Sequence, residues 1–454
     1  MVSGFLDFCF DFVFDFCSFF IFFGSFYDGK AAMMRDPRIM LSVCVFFLFN
    51  FGNMLFAAES WPVFHGPKGD NKSADTNLLQ EWPEEGPKLL WTFEDLGFGY
   101  SGVTIDNGRI FTTGNEEGEN DEMFAMVYCL DMNGQLLWKE SNGPGWVGES
   151  SNSYPGSRST PTIDGDYVYD ETPLGQLTCF DVKTGNRIWS RNILQDFDGE
   201  NIKWALAESV VIDGDNLICA PGGSKASVVA LNKKTGDVIW ETPSTGNLTN
   251  YATPYIFEFE GGKIIAVMNQ RGILGVDAKD GTPLFSFPHE TRFDINATMP
   301  IFKDGFLFIT SGYGTGARLL KLTKDGAQIL PEEVWANRKF DNHHGGLVLL
   351  GDYVYGTTMN GRWASINFMN GEMGYEERGI GKGSVHFADG LLYGFSENGR
   401  KVALIRPVPE EYAQISEFVL PNEAPGQSWA HPVVCGGKLY LRHAKYLYCY
   451  DVNK

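Results

Sequence analysis

One pattern returns along the chain and limits what it can fold into. "YCLDMNGQLLW" ends at Trp138, "TCFDVKTGNRIW" at Trp189 and "VALNKKTGDVIW" at Trp240. Looser copies follow: "LGVDAKDGTPLF" to Phe285, "LKLTKDG" with Trp335, "ASINFMNGEMGY" to Tyr375 and "VALIRP" with Phe418. The chain closes on "LYCYDVNK", a copy without its second half, and the missing half stands at the other end as "KLLWTF" with Trp91. A polar position recurs at Asp131, Asp181, Asn232, Asp277, Thr323, Asn367, Arg406 and Asp451, in steps of 39 to 51 residues. Self-similarity at this period means one supersecondary unit used many times.

A second motif keeps step with the first. "TIDNGRIF" (104–111), "TIDGDYVY" (162–169) and "VIDGDNLI" (211–218) lead a series that runs to "VVCGGKLY" (433–440). Each is an apolar run, a short turn rich in Asp and Gly, and another apolar run. Those turn residues tolerate positive φ, so each copy predicts a β-hairpin. Two hairpins per unit give four short strands, the content of a propeller blade. The expected fold is all-β: an eight-bladed β-propeller of four-stranded antiparallel blades, spanning 89–454. Its last blade takes strands from 430–452 and its fourth strand from 89–93, which joins the termini and removes sheet edges. Stacked sandwiches or a β-solenoid are the alternatives, and the split final repeat argues against both.

Composition agrees and excludes some partners. The 53 glycines suit a turn-rich β protein, and 43% hydrophobic residues supply a large core. A net charge of −21 with no basic stripe argues against nucleic acid and for a soluble monomer. Of eight cysteines, five lie beyond residue 58, namely Cys129, Cys179, Cys219, Cys435 and Cys449. An odd count without CxxC predicts small buried residues rather than a disulfide framework or a zinc site.

The start of the chain differs from the rest. "FLDFCFDFVFDFCSFFIFFGSF" (5–26) carries eleven Phe, and residues 1–32 are read as a mis-assigned or disordered start. Residues 33–58 read as a signal peptide: Arg35 and Arg38, then the apolar "IMLSVCVFFLFNFGNMLF", then small residues near Ala57 and Ala58. The alternative, a membrane anchor, is weakened by Asn50 and Asn53 inside the apolar run. A periplasmic or secreted protein follows, with no stable membrane span after cleavage. Residues 59–88 form an N-terminal extension.

The unit A/L-x-D-x-x-T-G-x-x-x-W resembles the tryptophan-docking motif of the pyrroloquinoline quinone (PQQ) repeat superfamily. That superfamily holds eight-bladed quinoprotein alcohol dehydrogenases. It also holds non-catalytic relatives such as the propeller lipoprotein of the outer-membrane β-barrel assembly machinery. The opening "WPVFHGPKGDNKS" (61–73) is similar to the W-P-x-F-R-G-P start of secreted bacterial PQQ-like propellers of unassigned activity, with His65 in place of Arg. Some of those are labelled polyvinyl-alcohol dehydrogenases.

The motif's chemistry is structural. Gly185 and Gly236 supply positive φ at the Thr-Gly turn, and Asp181 or Asn232 accepts from turn amides. Trp91, Trp138, Trp189, Trp240, Phe285 and Trp335 fill gaps between blades, each indole N–H meeting a carbonyl.

Function is expected in the loops that lead into each blade's innermost strand. Two readings stay open. The first is a binding or assembly scaffold for a protein, peptide or polymer. The alternative, implied by the resemblance, is a PQQ- and calcium-dependent alcohol dehydrogenase. Arg158 and Lys382 would then meet the quinone carboxylates, Trp429 would form its floor, and Tyr251 and His431 would line the channel. Glu208, Asn296 and Asp294 would supply calcium ligands, and Glu208 or Asp294 the catalytic base. A third reading places a metal, or a carbohydrate, at His343, His344 and Asp341 in "DNHHGG", with the adjacent imidazoles on opposite faces of a strand. "GYGTGAR" (312–318) lacks the Gly-Lys-Ser/Thr ending of a phosphate loop and is expected to be a turn within one blade.

Overall fold

The computed structural model of the protein describes residues 60–148 and 154–454. The readings of residues 1–32 and 33–58 fall outside them. Residues Glu59–Lys454 form one compact unit.

Eight antiparallel sheets of four strands each follow one another in sequence order. Blade 1 covers 104–144, blade 2 162–192, blade 3 211–243, blade 4 255–288, blade 5 301–337, blade 6 348–377 and blade 7 383–419. Blade 8 joins three strands from 433–451 to the strand Lys88–Phe93, which pairs antiparallel with Tyr446–Asp451. The ring therefore closes with its first strand on its last blade. Most innermost strands have only three residues, such as Thr104–Asp106 and Thr162–Asp164, because inner strands converge around a narrow axis. Residues 312–315 lie between the second and third strands of blade 5, so "GYGTGAR" forms a turn and the start of a strand.

Eight buried apolar clusters hold the ring, one at each blade-to-blade interface. The docking residues explain their outer ends. Trp138 Nε1 donates to Val182 O at 3.0 Å, Trp189 to Lys233 O at 2.9 Å and Trp335 to Phe368 O at 3.1 Å. Trp91 makes the same bond to Met132 O across the ring closure at 3.1 Å. Each ring lies on the turn glycine of the next blade. A Cβ on Gly236 would stand 2.8 Å from the Trp189 ring, and one on Gly185 2.8 Å from Trp138, with both glycines at φ +74°. Cys129, Cys179 and Cys449 pair directly with Trp138, Trp189 and Trp91, so these cysteines are small residues that leave room for a ring.

Two copies depart from the rule. The Trp240 ring covers Gly281, but its buried Nε1 has no hydrogen-bond partner among the described residues. Phe285 folds onto its own blade, against Gly275, because the outer hairpin of blade 5, Gly316–Asp325 with Gln328–Asn337, is lengthened and carries its turn away.

The N-terminal extension does more than extend. Residues 60–78 dip into the central channel and return. Trp61 pairs with Ile105 of blade 1, and Pro62 O accepts from Ile163 N of blade 2 at 2.8 Å. Farther along, Ser73 N donates to Phe387 O of blade 7 at 2.8 Å and Asp75 accepts from Gly437 N of blade 8 at 2.8 Å. At the tip His65 takes φ 62° and Gly66 φ +77°, and a Cβ on Gly66 would meet the Trp61 ring at 2.5 Å. "WPVFHGP" is thus the sequence of a channel stopper. No helix among the described residues is long and apolar enough to cross a membrane.

Candidate functional site

Antiparallel strands alternate direction, so the loop into the first strand of a blade and the turn after its second strand share one face. All eight blades contribute an aromatic, cationic or imidazole group to that face.

Trp429, from the loop into blade 8, is its centre. Its ring lies 4.5 Å from Tyr100, 4.9 Å from Tyr154 and 5.4 Å from His344, centroid to centroid. The Arg158 guanidinium sits over Tyr100 at 5.4 Å and over Trp429 at 5.8 Å, a cation–π arrangement. Ring contacts continue from His344 to His343 at 4.7 Å, Tyr313 at 5.1 Å and the exposed Phe293 at 5.0 Å. Tyr251 carries the crescent toward blade 3, with Trp204 at 6.5 Å and Lys203 above the latter at 4.5 Å.

Glu397 organises the polar side of this face. Its Oε1 accepts from Trp429 Nε1 at 2.7 Å and lies 3.5 Å from His344 Nε2, while Oε2 is 3.3 Å from Lys382 Nζ. Lys382 also donates to His343 Nδ1 at 2.9 Å. Burial alone would raise the Glu397 carboxyl, but His344, Lys382 and Trp429 outweigh it and hold it below the usual range. Burial and the Lys382 ammonium lower His343 and His344, so both imidazoles are neutral near pH 7. Burial lowers Lys382 as well, against the pull of Glu397.

Beneath this face the stopper meets the ring. A carbonyl can only accept, so His431 Nε2 donates to His344 O at 2.8 Å and His431 Nδ1 accepts from His65 Nε2 at 2.9 Å. Burial pulls His431 down to about 4 and His65 well below its ordinary value, which keeps this relay neutral. Arg442 is buried beside it between blades 8 and 1. Its guanidinium donates to Ala444 O at 3.0 Å, to Thr112 Oγ1 at 3.1 Å and to Thr113 O. Burial lowers it to about 10, so it stays charged near pH 7 and adds positive potential below Tyr100.

The structure brings together Arg158, Tyr251, Lys382, His343, His344, Trp429 and His431 on or just under this face. It does not gather the others. Asp341 braces loops, accepting from Gly314 N at 3.0 Å and Met359 N at 3.1 Å. His343 and His344 lie side by side rather than on opposite faces, because residues 341–345 form a loop in which strand alternation does not apply. Glu208 is fully buried, accepts from Ala220 N at 2.7 Å and faces the carboxyl of Glu171. Asn296 donates to Asn269 O at 2.8 Å, and Asp294 accepts from Gln270 at 3.0 Å. Among the described residues no three His, Cys, Asp or Glu side chains converge as a metal ion requires. The calcium donors are committed elsewhere, and the Trp429 ring is flanked by Tyr100, Tyr154 and His344. These residues do not fit a calcium-bound quinone.

Glu397, Tyr313 and Arg442 are not among the residues the sequence points to. All three lie on a second strand or the turn after it, away from the loops into first strands where function is expected.

A PQQ-repeat family model described as outer membrane protein assembly factor BamB matches residues 72–226 and 203–406. Tetrathionate hydrolase of Acidithiobacillus ferrooxidans is 26% identical over 239 residues, covering 42% of this chain and 45% of that protein. The chain spans less than half the length of the curated relatives it matches. BamB of Moraxella catarrhalis superposes with TM-score 0.56 at 15% identity, over 80% of this chain and 97% of that one. Quinohemoprotein alcohol dehydrogenase ADHIIG of Pseudomonas putida HK5 superposes with TM-score 0.59 at 12% identity, over 87% of this chain and 80% of that one. At these identities the superpositions establish the fold alone.

Proposed function

The chain belongs to the PQQ-repeat family described as outer membrane protein assembly factor BamB, and on that premise we propose that it is a binding scaffold that holds a peptide or polymer segment on the loop face of its ring. The similar proteins are named as an assembly factor, a tetrathionate hydrolase and an alcohol dehydrogenase. Membership therefore sets the ring and leaves the activity to the site.

The observation that carries the reading is the crescent of aromatic rings around Trp429, with Arg158 and Lys382 among them and a stoppered channel beneath. Large rigid rings with cations give broad stacking area at small conformational cost, which suits an extended ligand. Export across a membrane, expected from residues 33–58, accords with the family's printed name.

The test has two arms. The protein is first equilibrated with PQQ and Ca²⁺, desalted, and examined for quinone absorbance and dye-linked alcohol oxidation. Retained quinone or turnover would overturn the scaffold reading in favour of a dehydrogenase. A panel of immobilised peptides, polyvinyl alcohol and oligosaccharides is then probed by interferometry. A bound member should lose at least tenfold in affinity with Trp429→Ala and with Arg158→Ala, as central aromatic and Arg anchors do. No binding at all, or binding indifferent to both changes, sinks the proposal.

A further inference from the structure

The stopper leaves the opposite end of the channel partly open. Between it and the inner strands of blades 4 to 6 lies a cavity of about 550 Å³. Gly351, in the turn after the first strand of blade 6, is part of its lining, so the cavity opens on the face away from Trp429. That volume falls in the range of small-molecule sites, about 300–1,000 Å³.

The lining has two characters. Tyr255, Met299, Phe302 and Leu349 form an apolar wall. Lys68 and Lys72 from the stopper and Lys303 from blade 5 bring three ammonium groups, against one lining carboxylate, Asp70. Their ion pairs are long ones. Lys72 is 3.7 Å from Asp70, and Lys303 is 3.4 Å from the exposed Asp352 and also donates to Gly351 O at 3.0 Å. Lys68 is exposed and has no ion pair among the described residues. Ion pairs open to water contribute about 0–1 kcal/mol, so a ligand anion can displace them. On a chain of net charge −21 this is a local reversal of sign, and a concave mouth concentrates its field.

We propose that this cavity binds a small amphipathic anion. Its aromatic or acyl body lies against Tyr255, Met299 and Phe302, and its carboxylate or sulfonate is held by Lys68 and Lys303. The site is independent of the loop face and stands or falls separately from it.

The probe is 1-anilinonaphthalene-8-sulfonate, followed by fluorescence with the whole protein. One saturable site is expected. The Lys68→Ala/Lys303→Ala double variant should weaken it at least fivefold. The same variant should leave N-phenyl-1-naphthylamine, the same rings without the sulfonate, within twofold. A second pair, Lys183→Ala/Lys279→Ala on outer turns, removes the same charge far from the cavity and should leave the dye unchanged. Unaltered melting temperatures establish that the variants are folded. Absence of a saturable site, an indifferent double variant, or an equal loss with the outer pair would each overturn the proposal.

Discussion

Glu171 and Glu208 are two carboxyls in a place where water cannot reach. Glu171 ends the second strand of blade 2, and Glu208 lies in the loop into blade 3, both fully buried. Burial, then the facing Glu208, pushes Glu171 well up; burial lifts Glu208 to about 7, against the Ala220 amide. The neighbouring Asp170 is also raised to about 7 by burial, although Asn142 donates to it at 2.7 Å. Raised carboxyl pKa values mean that the folded state binds more protons than the unfolded chain. Stability contributed here is present below the ordinary carboxylate value near 4.5 and is lost as pH rises to about 7. Glu171→Gln removes one titrating group and keeps the shape. It should leave stability nearly unchanged at pH 5 and raise it by about 1 kcal/mol or more at pH 8, read from urea unfolding. A variant whose pH dependence parallels the parent's refutes the buried pair. Glu208 stood out in the sequence because it lies in a loop leading into a blade. Glu171 did not, since a Glu closing a "YVYDE" strand reads as ordinary edge polarity, and only closure of the ring buries it.

At the scale of elements, the docking hairpin is the part that sequence conveys best. Its period, turn chemistry and aromatic end are local, and each copy repeats the same contacts. The Asp181 carboxylate accepts from Thr184 Oγ1 and N at 2.8 Å and Lys183 N at 3.0 Å, and these bonds hold it below its usual range. Gly236 should therefore be far less replaceable than a glycine with the same backbone and open space. Gly214 has φ +62° and nothing within 4 Å of an added Cβ, whereas at Gly236 the Trp189 ring is 2.8 Å away. Gly214→Ala carries conformational strain alone, about 1 kcal/mol. Gly236→Ala adds displacement of the indole and should cost about 2–4 kcal/mol. Equal losses in urea unfolding would show that the ring does not rest on the turn. The stopper was the opposite case. "WPVFHGP" has no second copy and no periodicity, so only the inner strands it meets reveal what it does.

The whole molecule depends on one seam that the other seven interfaces lack. Every blade but the last is continuous in sequence, while blade 8 borrows Lys88–Phe93 from the other end of the domain. Eight units, their order and the split closure were legible because they follow from counting copies. The loop face was legible only in part, because its members come from the loops into the first strands and the turns after the second strands, and meet only when the ring is round. The seam makes Trp91 unlike Trp189, although each donates to a carbonyl of the next blade and covers its turn glycine. Losing Trp189 loosens two blades that remain tethered by the chain between them. Losing Trp91 loosens the strand that keeps the ring shut, and the cluster between blades 8 and 1 opens with it. Both Trp→Ala changes should cost about 2–4 kcal/mol, the partly buried end of the large-to-small range. Their reach should differ. In native-state hydrogen exchange, Trp91→Ala should lower protection together across Lys438–His443, Tyr446–Asp451 and Arg109–Glu117, as one cooperative unit. Trp189→Ala should confine its effect to blades 2 and 3. If Trp91→Ala frees only Lys88–Phe93, the ring is held by its individual interfaces and the closing strand is not the element on which the fold turns.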